Sequence, residues 1–227
     1  MARTTLPAVI LFLSSFLVGQ DANVQGTVNV LHHSKKQSGS ASVVVWLAPA
    51  GTKDTASPGP TARLLQKDKR FTPHLLAITV GTAIEFPNRD PFFHDVFSIY
   101  HGKPFDLGLY ESGAVRAVKF TKPGVSYIFC NIHPEMSAVV VALSTPYFAT
   151  TARDGTFHIA NVPPGQYKLT MWYEFASQSE LSTQSRDVTV VAGDNTLPTM
   201  TLHASDVPAE HLNKYGEVYT PDKASTY

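Results

Sequence analysis

The stretch Cys130-Asn131-Ile132-His133-Pro134-Glu135-Met136 places a thiol, an imidazole and a thioether within seven residues, at the end of an apolar strand. A second imidazole, His94, stands thirty-six residues upstream of the cysteine, after a strand and a loop. Two imidazoles and one thiolate in a trigonal array, with a weak axial thioether, form the ligand set of an electron-transfer copper site. Sulfur ligands suit Cu(I), imidazoles suit both oxidation states, and a compromise geometry limits rearrangement when the charge changes. The thiol, whose free pKa is about 8.5, is deprotonated outright once metal-bound. The bland alternative makes Cys130 and Met136 core residues and the histidines incidental. It leaves unexplained why four ligand types occur in this order inside a matching strand pattern.

The elements that must position these residues read almost entirely as strands. Val24, Gly26, Val28 and Val30 occupy alternate positions, and Val43 to Leu47 is a short apolar run. Ala48 to Pro60 has the punctuation of a loop. Leu75 to Val80 and Ala83 to Phe86 are two strands around a Gly81-Thr82 turn, followed by His94 to Tyr100, Val115 to Phe120, Ser126 to Cys130 and Ser137 to Leu143. Lys122-Pro123-Gly124 is the turn feeding the cysteine strand. Beyond Thr145-Pro146, Asp154-Gly155 marks a hairpin between Phe148-to-Ala152 and Thr156-to-Ile159, and strands around Tyr167-to-Met171, Val188-to-Val191 and Thr199-to-Leu202 complete the set. No amphipathic helix of ordinary length is apparent. The fold class expected is all-β.

From Arg63 to Leu143 the chain resembles a small cupredoxin, nearest to amicyanin and plastocyanin. The resemblance is carried by Thr79-Val80-Gly81-Thr82, Phe86-Pro87-Asn88 before the first histidine, Pro123-Gly124 with Tyr127 before the cysteine, and the short Cys-x-x-His-x-x-Met loop. It implies a Greek-key β-sandwich holding one type-1 copper ion, with His94, Cys130 and His133 as strong ligands and Met136 as the axial one. Two positions depart from the pattern. Asp95 stands where the family usually has Asn after the first histidine, and Ile132 stands where amicyanin tends to have proline. Asp95 keeps the backbone N–H that the family aims at the sulfur, but an ionised carboxylate only accepts hydrogen bonds, so its link between loops must differ. Ile132 retains an N–H, so two backbone donors are expected at the sulfur, raising the reduction potential relative to one.

The region from Thr145 to about Leu202 resembles the carboxypeptidase regulatory-like family, a small Ig- or transthyretin-like β-sandwich. Thr151-Ala152-Arg153-Asp154-Gly155-Thr156-Phe157 and Val162-Pro163-Pro164-Gly165-Gln166-Tyr167-Lys168-Leu169 carry that likeness. The opening strands of such a module appear far upstream, at Val24-Gln25-Gly26-Thr27-Val28 and Val43 to Leu47. The expected organisation is a signal peptide at 1–20, a sandwich built from 21–60 with 145–204, a cupredoxin unit at 61–144 inserted within it, and a polar, aperiodic tail or surface-hugging extension at 205–227. A tandem arrangement, in which 21–60 add strands to the cupredoxin unit, is the alternative. The combination resembles exported methylamine-utilisation-type cupredoxin proteins.

Composition agrees with a packed, exported domain. Hydrophobic residues make up 43% of the 227 and charged residues 16%, so wholesale disorder is not expected. Eighteen basic residues balance eighteen acidic ones, which gives no support to a nucleic-acid partner. Arg3 followed by the apolar stretch Leu6 to Val18 reads as an export signal cleaved near Gly19 or Ala22, an uncleaved anchor being the alternative. The stretch is short of the roughly 20 residues that span a bilayer, and no other segment is long and apolar enough. Periplasmic or secreted location follows, with no membrane span after signal removal. Cys130 is the single cysteine, so export brings no internal disulfide, and metal coordination would protect a thiol otherwise exposed to oxidation.

Three functions fit: a one-electron carrier with His133 as exit edge, a copper buffer or delivery protein, and an interaction protein whose copper site is secondary. An enzyme is not expected. Glu135 and Asp95 lack a second carboxylate or nucleophile in sequence. Unknown redox partners are expected to dock near His133, with Phe92 or Phe93 extending an apolar patch or packing in the core. His32-His33, His74, His101, His158, His203 and His211 show no ligand partners nearby in sequence.

Overall fold

The structure is a computed structural model that describes residues 21–32, 35–36, 42–51, 56–99, 102–205 and 211–219. The expected signal segment, His33 and His101 lie outside the described residues. Strands dominate, as expected for an all-β chain, and no described helix is long and apolar enough to cross a membrane.

One five-stranded sheet runs in the order Phe105–Tyr110, His94–Ser98, Gly124–Cys130, Ser137–Leu143 and Leu75–Thr79. Facing it, Val115–Lys119, Ala83–Pro87 and Ala62–Arg63 form a smaller sheet. Between them a core gathers Leu64, Ile84, Phe86, Phe120, Cys130 and Met136. The cysteine and first-histidine strands are adjacent and antiparallel, with Cys130 opposite Val96. Neighbouring strands lie about 4.8 Å apart, so the ends carrying Cys130 and His94 start close together.

Residues from both ends of the chain share a second pair of sheets. The eleven-residue strand Ala22–His32 pairs antiparallel with Thr156–Val162 and parallel with Gly193–Thr196 and Met200–Ala204. Val44–Pro49 lies between Phe148–Thr150 and Gly165–Trp172, with Arg186–Val190 at the edge. Gly155 in the Asp154-Gly155 turn has φ 87°, and a Cβ there would meet the Val28 carbonyl oxygen at 2.2 Å. Only glycine fits that position.

The run Ser137–Leu143 explains how the two sandwiches join. Ala138, Val140 and Ala142 enter the core behind Cys130, whereas Val139, Val141 and Leu143 enter the other core with Leu47, Leu169 and Met171. A strand buried on both faces needs a continuous apolar run rather than alternation, which is what S-A-V-V-V-A-L supplies. Each apolar side chain removed from water contributes about 1.5–3 kcal/mol.

Among the elements not expected are a helix and a strand beside the candidate site. A seven-residue helix, Gln178–Gln184, is N-capped by Ser177 and anchored by buried Leu181. Phe105–Tyr110 is a strand not expected from sequence, although Phe105, Leu107 and Leu109 alternate with Asp106 and Gly108; its register shifts between Asp106 and Leu109 around Gly108, whose φ is 65°.

His74 has a partner one hundred residues away. Its Nε2 lies 2.7 Å from Glu174 Oε2, and its Nδ1 lies 3.1 Å from the Ser137 carbonyl. The Glu174 hydrogen bond is the largest cause that raises the imidazole's pKa, against the opposing effect of burial. The stabilisation is therefore fully present below the unfolded value of about 6.5 and lost as pH rises through the raised folded value. With His74 half-exposed, the pair is worth about 0.2–1 kcal/mol. Urea midpoints at pH 6 and pH 8 should differ less in His74→Gln than in the parent; an equal difference would contradict this role.

Candidate metal centre

His94 begins its strand fully buried, and the loop before it is fixed by side chains. Buried Asn88 donates from Nδ2 to the Phe92 carbonyl at 2.7 Å and accepts at Oδ1 from the Asp90 amide at 2.9 Å. The Asp90 carboxylate takes the amide N–H groups of Asp68 and Lys69 at 2.6 and 3.1 Å. Both of those residues have positive φ, 55° and 52°, at the tip of the Leu65–Lys67 and Arg70–Thr72 hairpin, as a tight two-residue turn requires. Asp90 Oδ2 also lies 2.9 Å from His94 Nε2. A proton on Nε2 donated to this carboxylate leaves the Nδ1 lone pair free to bind a metal.

Cys130 ends its strand fully buried. The short loop after it closes on itself, the Cys130 N–H donating to the Met136 carbonyl at 3.2 Å and the Met136 N–H to the His133 carbonyl at 3.0 Å. His133 is half-buried, whereas Met136 is fully buried in the same core as Cys130. The loop is tied to the His94 strand by the Asn131 N–H, which donates to the Asp95 carbonyl at 2.8 Å, and by Asn131 Nδ2, which donates to Asp95 Oδ2 at 3.1 Å. That second bond is the link an acceptor-only Asp95 side chain demands.

Three donor atoms converge. Cys130 Sγ lies 3.6 Å from His94 Nδ1 and 3.5 Å from His133 Nδ1, and the two nitrogens are 3.2 Å apart. The point equidistant from all three is about 2.0 Å from each. Metal–imidazole bonds are roughly 2.0–2.1 Å and metal–thiolate bonds about 2.3 Å, as measured for zinc. Among the described residues these three form the candidate cluster for holding a metal ion. A soft thiolate, two imidazoles and a buried thioether next along the loop fit copper, by the chemistry of the donors.

Electrostatics prepare the nitrogens. Burial lowers the pKa of His94 against the opposing pull of Asp90, and burial with the neighbouring His94 and Lys69 lowers that of His133. Neutral imidazole is the form that binds metal. Burial raises the Asp90 carboxyl, but the hydrogen bonds from His94 and the Lys69 and Asp68 amides outweigh it and hold Asp90 below the usual range. Burial pushes the Cys130 thiol up, opposed by hydrogen bonds from the backbone N–H groups of Asp95, Ile132 and His133. These N–H groups, His133 besides the two expected from sequence, favour charge on the sulfur.

Around the centre, the Phe92 ring is tilted against both imidazoles, with centroids 5.4 Å from each. Phe93 is 50% exposed and Ile132 42% exposed, beside His133 in sequence. Neither phenylalanine joins an apolar core. Asp106, a second carboxylate not anticipated near Asp95, shares Lys214 with it at 3.0 and 2.9 Å. Asp90 was also missed by sequence reasoning, though an acidic residue four positions before a candidate ligand is a signal that could have found it. His203 pairs with Glu180 at 3.1 Å, away from the cluster.

The fold and site together define an all-β protein with a buried two-histidine, one-cysteine candidate metal centre between adjacent strands. Comparisons with known proteins found a family model and several solved structures that are similar to parts of the chain. A family model described as polysaccharide lyase family 4, domain II, matches residues 134–197. No curated protein matches the chain. Among solved structures, the chain is similar to a copper-containing nitrite reductase from Thermus scotoductus SA-01, at 30% identity over 43% of this chain and 25% of that one, with a TM-score of 0.35. It thus spans only a quarter of that protein's length. It is also similar to a purple cupredoxin from Nitrosopumilus maritimus, at 24% identity over 36% of this chain and 99% of that one, TM-score 0.33. Amicyanin from Paracoccus versutus is 17% identical over 40% of this chain and 96% of its own, TM-score 0.33.

Two outcomes follow from the outer groups. Asp90→Ala leaves the buried His94 Nε2 without its acceptor and should weaken copper affinity about 10–100-fold in competition titrations; unchanged affinity would contradict the role of Asp90. Ile132→Pro removes one backbone N–H that favours charge on the sulfur. Its reduction potential should fall by tens of millivolts, where about 59 mV corresponds to tenfold in relative affinity for the two oxidation states. A potential that holds or rises would count against that role.

Proposed function

We propose that this chain is an exported type-1 copper protein that carries one electron between redox partners. The observation that supports this most is the convergence of His94 Nδ1, His133 Nδ1 and Cys130 Sγ around a common point about 2.0 Å away. Bound copper would supply the one-electron couple between Cu(I) and Cu(II), with Met136 as the weak fourth ligand. The chain's own residues do the rest. Asp90 orients one imidazole, the three backbone N–H groups stabilise charge on the sulfur, and the closed Cys130–Met136 loop limits movement when the charge changes.

Burial supports the carrier over a delivery protein. Two of the three donors are fully buried, and only half-buried His133 approaches the surface. Such a site favours electron passage through a ring edge over handing the ion to another ligand set. Partners would dock on the surface of Ile132, Pro134 and Phe93 around His133, with Phe92 packed behind the ring. The reading is of a carrier rather than an enzyme. Export rests on Arg3 and Leu6 to Val18. The strands at both ends of the chain serve as a supporting sandwich into which the copper unit is inserted.

Cu(II) added to the purified metal-free protein should give an intense thiolate-to-copper visible band and a small-hyperfine resonance. Cys130→Ser should abolish both while leaving the fold intact by far-UV circular dichroism. Reversible voltammetry with slow copper loss to a chelator supports the carrier, rapid loss supports delivery, and a colourless wild type contradicts the copper reading.

A further inference from the structure

The segment 211–219 near the C-terminus lies across the ligand loop and is tied to it at several points. The His211 ring stacks on Phe129, the residue before the cysteine, with centroids 3.8 Å apart and planes 24° from parallel. Its Nε2 is 2.8 Å from the Pro134 carbonyl, to which a proton on that nitrogen donates. The Lys214 backbone N–H donates to Asn131 Oδ1 at 3.0 Å. The Tyr219 hydroxyl donates to the Cys130 carbonyl at 3.0 Å and lies 3.2 Å from His211 Nδ1.

Lys214 also bridges to the strands. Its ammonium, only 14% exposed, sits 2.9 Å from Asp95 Oδ2 and 3.0 Å from Asp106 Oδ2. Asp95 follows His94, and the same Oδ2 accepts from Asn131. One cation therefore holds the residue after the first ligand, while its own amide holds the residue after the cysteine. The segment brings its own rigidity. Asn213 Oδ1 accepts from the Tyr215 and Glu217 amides, the Asn213 N–H donates to the Glu217 carbonyl, and Gly216 turns the chain at φ 79°.

The copper reading gives this contact a task. Between Cys130 and Met136 the loop has two backbone bonds of its own, and His133 leaves the strand altogether. Donor atoms must be held within about 0.5 Å for a preorganised site, which needs support from outside the loop. Asp95 Oδ1 is buried without a hydrogen-bond partner among the described residues, and the Lys214 cation, held at the other oxygen Oδ2, is what offsets the charge of that carboxylate.

We propose that residues 211–219 are a positioning strap for the ligand loop, with Lys214 and Tyr219 fixing the distance between the His94 and Cys130 strand ends and so the tightness with which the metal is retained. The proposal rests on the copper reading for the retention and on geometry alone for the positioning.

The test uses full-length protein carrying Tyr219→Phe or Lys214→Met. In the metal-free state, hydrogen exchange at the Asn131 and Met136 amides should accelerate in both variants, while exchange in the remote Ala22–His32 strand stays the same. In the copper-loaded state, transfer to a Cu(I) chelator should be roughly three- to tenfold faster, the loss expected for one hydrogen bond. Should Lys214→Met fail to fold, Tyr219→Phe, which removes a single hydroxyl, decides the matter. Unchanged exchange at both amides overturns the strap, and so does faster exchange with unchanged copper release. A wild type that takes up no copper contradicts the copper reading instead, and the exchange measurement then decides the strap by itself.

Discussion

Everything in this molecule turns on holding two imidazole nitrogens and a sulfur within 3.2–3.6 Å of one another inside an apolar core. Buried polar atoms are costly unless each has a partner, and three electron-rich atoms aimed at one point have none better than a cation. The surroundings reduce the cost of waiting for it. Burial keeps both rings neutral, Asp90 occupies the far nitrogen of His94, and the backbone N–H groups of Asp95, Ile132 and His133 favour charge on the sulfur. Each of these favours the metal-ready state without requiring it to form on arrival of the ion.

The sheet geometry follows from that constraint. His94 and Cys130 come from adjacent strands, and His133 returns on a tight loop that leads at once into Ser137–Leu143. That strand is gripped by apolar side chains on both faces, so the loop leaves one rigid element and enters another. The second sandwich therefore bears on the centre from the far face of that strand, while the donor atoms belong to the other unit. His74 and Glu174 add a polar clasp across the same junction.

Much of the site was legible in the sequence because metal ligation demands rare residue types in a fixed order. A single cysteine followed by His133 and Met136 leaves few readings, and the strand pattern around His94 supplied the remaining partner. The all-β class was legible for a similar reason, since turn residues and apolar runs recur at short intervals. What escaped lies in side-chain pairing across long separations. Asp90 reads as one loop acid among several until the Asp68–Lys69 turn is seen to cap it. Residues 211–219 are polar and aperiodic, so no pattern announces that Lys214 and Tyr219 reach partners more than eighty positions upstream. The strand Phe105–Tyr110 does alternate at Phe105, Leu107 and Leu109, but Gly108 within so short a run reads equally well as a turn.

X-ray absorption at the copper edge, recorded on the oxidised and the reduced protein, tests the central claim most directly. One sulfur and two nitrogen neighbours at bonding distance in both states, with little change between them, is the predicted result. A shell of nitrogen and oxygen alone, or a ligand set that changes with oxidation state, would contradict it.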